Sequence, residues 1–257
     1  MKIIDVTTEN LIENSYCGYK NQKQEGYQSK VNWIADSLTH GLRHKLLINE
    51  NNDAVGGIEY LPGEDAWRSV KAKDFLFIHC IYILKKDIKS QGYGKKLLDE
   101  CLKDANVNGY NGVAALVRKG TWMAGKELFL SHGFEEIDAA KPDYTLVAKI
   151  IKESSAKPSI VDNKENLLKN YNKGLFIFTS GQCPYLGKAV PEIIGEAKKE
   201  FGIKATLIEM KSIKDVRENP VIYGTFGIVY NGEIIGDHPM SKAKFRNNLR
   251  KVLDKKK

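Results

Sequence analysis

Two glycines, Gly92 and Gly94, stand where an apolar strand is predicted to end and a helix to begin. The first N–H groups of a helix have no partner within the helix, so a helix start without bulky side chains can bind an anion such as phosphate. Lys95 and Lys96 follow at once and add positive charge. The same glycines are also typical of two elements that pack closely, so both interpretations stay open. The Walker loop and the dinucleotide fingerprint are excluded, because the residues that complete them are absent.

The hydrophobic pattern predicts the elements that must position this loop. Phe75–Leu84 is a long apolar run and indicates a central strand buried on both faces. Apolar residues at helical spacing predict a helix from Gly92 to about Ala105. Further strands are predicted at 2–6, 46–49, 54–60, 113–117, 134–138 and 144–151, and further helices at 24–38 and 123–132. Helices that follow strands in this way indicate a mixed α/β sheet.

A second set of elements begins near residue 175. Strands are predicted at 175–179 and 205–210, a hairpin at 226–235, and helices at 184–201 and 242–253, in the order β-α-β-α-β-β-α. Asn231-Gly232 is a strong hairpin-turn signal. Between the two sets lies a polar, proline-containing stretch that predicts a linker. We therefore expect a first domain at 1–151, a linker at 152–168 and a second domain at 169–257.

The elements around the glycine loop resemble the GNAT acetyltransferase superfamily. Its central loop reads Arg/Gln-x-x-Gly-x-Gly/Ala, and here the segment is Lys89-Ser-Gln-Gly-Tyr-Gly94, with Lys89 where Arg or Gln is usual. A second family motif, a short helix followed by Gly-Phe at the start of a strand, matches residues 122–135. The resemblance covers about residues 1–150. It implies a mixed-sheet GNAT fold and direct transfer of an acetyl group from acetyl-CoA, the co-substrate, to an amine.

The resemblance also implies which residues bind the cofactor. The pyrophosphate loop would be formed by Ser90, Gln91, Gly92, Tyr93, Gly94 and Lys95, and Tyr82, Ile83 and Leu84 would offer backbone groups to the pantetheine arm. Trp122 and Phe129 would complete the cofactor site, with two departures from the family pattern. Trp122 stands where many members carry Asn. Phe129 stands where many carry the Tyr that protonates the departing thiolate, and Phe has no hydroxyl for that role.

Acetyl transfer of this kind needs a base, because the attacking amine must be neutral and a free lysine amine has a pKa of about 10.4. Glu59 and His79 are the candidate catalytic residues, since they lie on the strand before the central one and on the central strand itself. Each also has an alternative interpretation. His79 would equally suit a hydrogen-bonded core histidine, and Glu59 a solvated or ion-pairing carboxylate.

The second half resembles the thioredoxin fold, and Cys183-Pro-Tyr185 resembles the start of the glutaredoxin active-site tetrad. Pro191 stands where the helix of that fold often carries a kinking proline. However, Leu186 replaces the second cysteine of the tetrad, which excludes an internal dithiol cycle. Gly224 stands where the fold usually has a proline facing the active-site cysteine.

Cys183 therefore has three open roles: a single-thiol redox or glutathionylation site, a substrate-binding residue, or a relic on a structural domain. A thiol at a helix start has a lowered pKa and reacts as the thiolate. A GNAT domain followed by such a domain resembles the YoaP-like family of bacterial acetyltransferases. The alternative function is a CoA-binding protein with reduced catalysis, or a single-thiol redox or adaptor protein that uses Cys183.

Composition narrows the class of protein. With 257 residues, 42% of them hydrophobic and 28% charged, the chain is globular rather than disordered or fibrous. It has no apolar run long enough to span a bilayer and no signal-peptide core at its N-terminus, so the cytoplasm is the expected location. The four cysteines (Cys17, Cys80, Cys101 and Cys183) are widely spaced, which indicates neither a disulfide framework nor a zinc site.

The net charge of +8 lies entirely in residues 151–257, and most of it in 242–257. Phe245 is the one aromatic residue among these terminal basic residues, so nucleic acid is not an expected partner. The charge instead favours solubility or attraction of an acidic partner. The expected partners are acetyl-CoA and a small amine or peptide acceptor, without a membrane, and the expected assembly is a monomer or homodimer.

Overall fold

The computed structural model describes residues 1–120, 122–153 and 156–255. Their contacts divide the chain into two units. Unit 1 comprises Met1–Gln22, Ile34–Ala66 and Val70–Val161. Unit 2 comprises Lys23–Trp33, Trp67–Ser69 and the described residues from Asp162 onward. The domain boundaries inferred from the sequence stay a prediction, since they divide the chain by composition and not by contact.

Among the described residues, the first 160 positions form nine strands and three α-helices. The strands are β1 (Lys2–Asp5), β2 (Arg43–Ile48), β3 (Ala54–Pro62), β4 (Val70–Lys71), β5 (Phe75–Ile83), β6 (Gly112–Arg118), β7 (Glu135–Ala140), β8 (Tyr144–Ile150) and β9 (Ser159–Ile160). The α-helices are α1 (Glu25–Leu38), α2 (Tyr93–Val107) and α3 (Lys126–Leu130). The remaining elements are α4 (Lys164–Leu167), β10 (Leu175–Thr179), α5 (Leu186–Phe201), β11 (Ala205–Glu209), α6 (Ile213–Glu218), β12 (Phe226–Tyr230), β13 (Glu233–Gly236) and α7 (Lys242–Asp254).

The main sheet of unit 1 has seven strands in the order β1-β2-β3-β5-β6-β8-β7. Its strands pair antiparallel, except for β5 and β6, which are parallel. A parallel pair needs a crossover connection, and α2 supplies it. The predicted mixed α/β sheet is thereby confirmed.

Helix α2 packs on this sheet through the apolar face that the sequence predicted. Leu97, Leu98, Cys101 and Ala105 are fully buried in the core cluster, together with apolar residues of β3, β5 and β6. Near the C-terminal end of the same helix, the Tyr60 hydroxyl donates a 2.6 Å hydrogen bond to Asp104. The helix is therefore fixed to the sheet along its length, so the loop before it has a defined position.

Unit 2 contains a four-stranded sheet in the order β11-β10-β12-β13. Strands β10 and β11 are parallel, and α5 forms the crossover between them. The predicted hairpin turn is present, with Asn231 and Gly232 both at positive φ between β12 and β13. Helix α7 buries Phe245, Leu249 and Val252, and an ion pair of 3.2 Å joins its Arg246 to Glu196 on α5.

The structure differs from the predicted elements, or adds to them, in three places. The helix predicted at 123–132 is shorter and begins at Lys126, because Gly125 is in the extended region at φ −69°, ψ 150°. A helix, α6, forms in the polar stretch after β11; the predicted order includes a helix there but gives it no bounds, and Ser212 and Asp215 form its reciprocal capping box. The stretch predicted as a linker contains α4 and β9, and β9 pairs with β4.

The described residues include no helix with both the length and the apolar character needed to cross a lipid bilayer. Lys256 and Lys257, which belong to the basic C-terminal stretch, lie outside the described residues.

Candidate active site

The glycine loop ends at Gly92, which is the N-cap of α2 and adopts a left-handed conformation at φ +81°. No side chain among the described residues caps this end of the helix, and its first turn has no acidic residue. A Cβ placed on Gly92 would meet nothing within 4 Å. The start of α2 thus has no side-chain cap among the described residues and open space beside Gly92, two features that a phosphate site at a helix start requires.

Gly94 has a different role from Gly92. A Cβ placed on it would lie 3.3 Å from Leu128 Cδ1 on α3, so this glycine lets the first turn of α2 approach α3 closely. The two glycines thus differ: Gly94 allows close packing against α3, whereas phosphate binding at Gly92 stays a prediction.

The side chains around the loop add positive charge without closing it. Lys95 and Lys96 are exposed, and Lys96 Nζ lies 5.2 Å from the centre of the Tyr93 ring. The Gln91 amide donates a 2.8 Å hydrogen bond to the Asp87 carbonyl, which holds the turn before the helix. Ser90 adopts a left-handed conformation at φ +64°.

Strands β5 and β6 separate next to this loop. Their parallel pairing runs from Phe75 to Ile78 on β5, although β5 continues to Ile83. On the other side of β5, Tyr82 and Ile83 remain paired with β3, and the Leu84 N–H donates to the Val55 carbonyl at 2.8 Å. Beyond Ile78, β5 has no strand pairing with β6, and Tyr82 and Ile83, which are predicted to hold the pantetheine arm, lie on this part of the strand.

His79 lies at the point where β5 is irregular. Glu59 pairs with Cys80 and Tyr60 pairs with Ile78, so His79 is an extra residue opposite the β3 strand. Such a bulge changes which side chains point to each face of a sheet. His79 itself is buried and packs edge-on against Phe77, with ring centres 5.5 Å apart.

Glu59 is fully buried on β3. Its Oε1 lies 3.9 Å from Nε2 of His44, a β2 residue that is also fully buried. Cys17 and Cys80 complete its surroundings, since their sulfurs and a Glu59 oxygen all lie within 4.8 Å of one another. The fold excludes the exposed, solvated interpretation of Glu59.

Tyr82 borders the same group of side chains. Its hydroxyl accepts a 3.2 Å hydrogen bond from the Cys17 backbone N–H. Burial, together with the nearby Cys17, Cys80 and Glu59, holds the pKa of Tyr82 well above its usual value, so the hydroxyl keeps its proton. The sequence did not indicate His44 or Cys17 as members of this site. His44 reaches Glu59 only through the pairing of β2 with β3, and Cys17 only through the fold of the loop before α1.

The two aromatic residues of the second motif lie in different surroundings. Trp122 is 40% exposed, with a positive φ of 78°, directly before the segment that leads to α3. Phe129 is 1% exposed and packs edge-on against Phe134 at 5.3 Å between ring centres, within the core cluster of unit 1. A role for either residue in cofactor binding stays a prediction.

Cys183 is partly exposed and belongs to unit 2. The carbonyl of its neighbour Gln182 accepts a 2.7 Å hydrogen bond from Lys30 Nζ, and Lys30 is fully buried. Leu186, which replaces the second cysteine of the tetrad, is buried at 2% exposure and serves packing. Nothing in the spacing along the sequence predicted that Lys30 would approach this loop.

Comparison with known proteins adds to this geometry. The model of the acetyltransferase (GNAT) family matches residues 9–134. The protein named "Uncharacterized N-acetyltransferase YoaP" from Bacillus subtilis strain 168 is 27% identical over 255 residues, which cover 97% of this chain and 98% of that protein. The chain is an acyltransferase, and its residues 9–134 are similar to the GNAT family.

The part of this acyltransferase beyond the segment similar to the GNAT family matches a second family. The YoaP-like family model matches residues 205–247, which include β11 to β13 and the first part of α7. The segment similar to the GNAT family thus comes first along the chain, and the segment similar to the YoaP-like family follows it toward the C-terminus.

Several solved structures are similar to the acyltransferase. A GNAT-family acetyltransferase from Staphylococcus aureus MU50 is 20% identical, covers 59% of this chain and 99% of its own, and has a TM-score of 0.44. A ribosomal-protein-alanine N-acetyltransferase from Brucella melitensis is 19% identical and covers 59% of this chain and all of its own, with a TM-score of 0.43. A PaiA N-acetyltransferase from Thermoplasma acidophilum, solved with coenzyme A, is 17% identical, with coverages of 58% and 98% and a TM-score of 0.42.

Proposed function

We propose that this acyltransferase moves the acetyl group of acetyl-CoA directly to the amine of an acceptor. The observation that carries the proposal is the open start of α2 beside the open edge of β5. The helix start offers unpaired N–H groups to a pyrophosphate, and the strand edge offers backbone groups to an amide-containing arm. Coenzyme A contains both, and in this arrangement its thioester would reach the end of β5.

The acyl donor is held chiefly by backbone groups. Ser90, Gln91, Gly92, Tyr93, Gly94 and Lys95 form the pyrophosphate loop, and Tyr82, Ile83 and Leu84 face the pantetheine arm. Lys95 and Lys96 strengthen binding through their charge, because an exposed cation next to a helix start attracts phosphate. An N–H group on the open edge of β5 would polarise the thioester carbonyl as the amine attacks.

Glu59 is the proposed base of the transfer. The carboxylate is buried, so it is not stabilised by bulk water, and it lies on the strand that pairs with the open part of β5. It would take a proton from the amine directly or through one water molecule. His79 packs against Phe77 instead, which favours its role as a core histidine at the bulge. Phe129 supplies no proton to the departing thiolate.

The C-terminal unit is proposed to be a thioredoxin-like accessory domain at about 169–257. Support comes from its central parallel pair β10–β11 joined through α5, its antiparallel β12 and β13, and Pro191 within α5. At Gly224, a Cβ would lie 2.6 Å from the Trp67 carbonyl oxygen, so a backbone segment within the same unit occupies the space where that fold would carry a proline side chain.

Titration of the protein with acetyl-CoA by calorimetry tests the proposed donor site. We expect saturable binding to the wild type and a loss of at least about tenfold in affinity for Gly92→Asp, because the new carboxylate repels the pyrophosphate. The matched control is Gly92→Asn, which has the same size and tolerates the left-handed conformation but carries no charge. We expect the affinity of Gly92→Asn for acetyl-CoA to lie within about threefold of the wild-type affinity.

Two results would contradict this proposal. Absence of binding to the folded wild-type protein at millimolar acetyl-CoA would exclude it as the acyl donor. Equal affinity of the Gly92→Asp and Gly92→Asn variants would show that the pyrophosphate does not lie at the start of α2. Thermal unfolding of all three proteins, followed by circular dichroism, checks that the substitutions leave the fold intact.

A further inference from the structure

Two thiols and a carboxylate from three separate segments converge in unit 1. The sulfurs of Cys17 and Cys80 and an oxygen of Glu59 all lie within 4.8 Å of one another. Glu59 is fully buried, whereas Cys17 and Cys80 are partly exposed residues. The wide spacing of the cysteines along the chain hides this group, because it exists only when the loop before α1 folds over β3 and β5.

A tight turn holds Cys17 in this position. Tyr16 and Tyr19 exchange two backbone hydrogen bonds of 3.1 and 2.9 Å, and the two residues between them, Cys17 and Gly18, both have positive φ. This is the geometry of a two-residue type I′ turn, in which Asn, Asp or Gly is usual at the first position and cysteine is unusual.

The turn is also tied to the sheet beneath it. The Cys17 N–H donates to the Tyr82 hydroxyl at 3.2 Å, and the Tyr82 ring lies over Gly57, where a Cβ would stand 3.0 Å from that hydroxyl. Gly18 lies next to Leu84, to which a Cβ on it would be 3.8 Å. Several contacts therefore present the Cys17 thiol to Cys80 and Glu59, so their approach is built into the fold.

The donor set and its dimensions suit a thiophilic divalent cation. Thiolate sulfur and carboxylate oxygen both ligate Zn²⁺, with bonds of about 2.3 and 2.0 Å, and in a tetrahedral site such ligands lie about 3.5–3.8 Å apart. The group would need to contract by no more than about 1.3 Å, since the three atoms lie within 4.8 Å of one another. Cys17 is at the tip of a turn and can supply that movement. Three protein ligands would leave the fourth position to water or to another molecule.

We propose that Cys17, Glu59 and Cys80 form a binding site for a thiophilic divalent cation, with Zn²⁺ as the physiological candidate. Binding forms two zinc–sulfur bonds and one zinc–oxygen bond. Each thiol gives up its proton to the surrounding buffer, and no electron is transferred. His44, at 3.9 Å behind Glu59, helps to define where the carboxylate lies.

The site has a consequence for acetyl transfer, and this part rests on the proposed function. A Glu59 carboxylate that ligates Zn²⁺ is a much weaker base, because the cation stabilises the ionised carboxylate, so it accepts the proton of the attacking amine poorly. Zinc would then inhibit the transfer, and a chelator would restore it. Binding of the ion itself depends only on the three side chains, so it can be tested without any substrate.

The experiment is a calorimetric titration of the reduced, full-length protein with Zn²⁺, repeated in two buffers of different ionisation enthalpy. We expect one ion per chain and release of about two protons per ion. Cys17→Ser and Cys80→Ser should each weaken binding by more than about 100-fold, since loss of a direct ligand exceeds the 10–100-fold cost of losing an outer partner. Cys183→Ser is the matched control, because it removes a partly exposed thiol elsewhere and should leave the affinity unchanged.

Substitution of Zn²⁺ by Co²⁺ gives a second readout that does not depend on heat. Ligation by two thiolates should produce sulfur-to-cobalt charge-transfer absorption that is absent from Cys17→Ser and Cys80→Ser and present in Cys183→Ser. Absence of saturable binding, or equal binding by all three serine variants, would overturn the proposed site. Tight zinc binding without inhibition of acetyl transfer would uphold the site and reject Glu59 as the base.

Discussion

Glu59 and His79 lie on neighbouring strands, yet their surroundings suit different tasks. Glu59 is a fully buried carboxylate within 4.8 Å of two thiols, and its nearest basic neighbour, His44, is 3.9 Å away. His79 occupies the bulge of β5 and is in contact with the Phe77 ring. At the level of single residues, these surroundings favour Glu59 over His79 as the proposed base.

The variant Glu59→Gln should lower kcat of acetyl transfer by about 10²–10⁴-fold, because it keeps the shape of the side chain but removes the proton acceptor. The affinity for acetyl-CoA should not change. His79→Gln should lower kcat by less than about tenfold, since it removes a packing residue. Steady-state kinetics of the metal-free proteins, with the amine that the wild type acetylates fastest, give both values. A larger loss in His79→Gln than in Glu59→Gln would reverse the assignment.

At the level of elements, the donor site depends on how α2 and α3 are fixed to the sheet. Helix α2 is long and buries one continuous face. Helix α3 has five residues and is too short to be stable by itself. Phe129, which is 1% exposed, fixes it to the core through its contact with Phe134. Phe129 therefore supports α3. Because Leu128 lies on the same helix, Phe129 also supports the close packing of Leu128 at Gly94.

Phe129→Ala should lower the free energy of unfolding by about 3–5 kcal/mol, because it leaves a cavity in the core of unit 1. Leu130→Ala, the neighbouring position on the same helix, is the control. Its side chain is 37% exposed, so the cost should be below about 1 kcal/mol. Urea denaturation followed by fluorescence measures both. Equal effects of the two substitutions would show that α3 is not held by Phe129.

At the level of the whole molecule, the two contact units do not follow the order of the chain. Lys23–Trp33 and Trp67–Ser69 belong to unit 2, although both precede most of unit 1 in sequence. Buried polar contacts mark this arrangement: Lys30 donates to the Gln182 carbonyl at 2.7 Å, and Arg68 donates to Thr225 Oγ1 at 2.9 Å. The C-terminal unit is therefore completed by two segments from early in the chain.

Gly224→Ala tests this arrangement. Its φ is +78°, and the new Cβ would lie 2.6 Å from the Trp67 carbonyl oxygen and 2.8 Å from the Arg68 Cα, both of which are backbone atoms. We expect a loss of at least about 2 kcal/mol in the free energy of unfolding, from backbone strain and overpacking. Gly195→Ala is the control: it lies within α5 with nothing within 4 Å of the new Cβ, and it should stabilise by about 0.5–1 kcal/mol. Thermal and urea unfolding measure the stability of both variants. An unchanged free energy of unfolding in Gly224→Ala would contradict the close approach of the Trp67 and Arg68 backbone to Gly224.

The sequence by itself determined the elements and their chemistry where the signals are local. The apolar run of β5, the buried face of α2, the glycine loop between them and the Asn231-Gly232 turn are fixed by short-range periodicity and backbone preference. The start of α3 and the capping box of α6 were missed, because a few residues at a helix end decide them and the periodicity is too short to show it.

Only the tertiary structure decided which distant side chains meet. Cys17, His44, Glu59 and Cys80 lie on a loop and three strands, and their proximity depends on strand order, on the register between β3 and β5, and on the bulge at His79. The separation of β5 from β6 and the approach of Lys30 and Arg68 to the C-terminal unit depend on packing in the same way. Such contacts carry no local signal, because their free energy is gained only when the chain has folded.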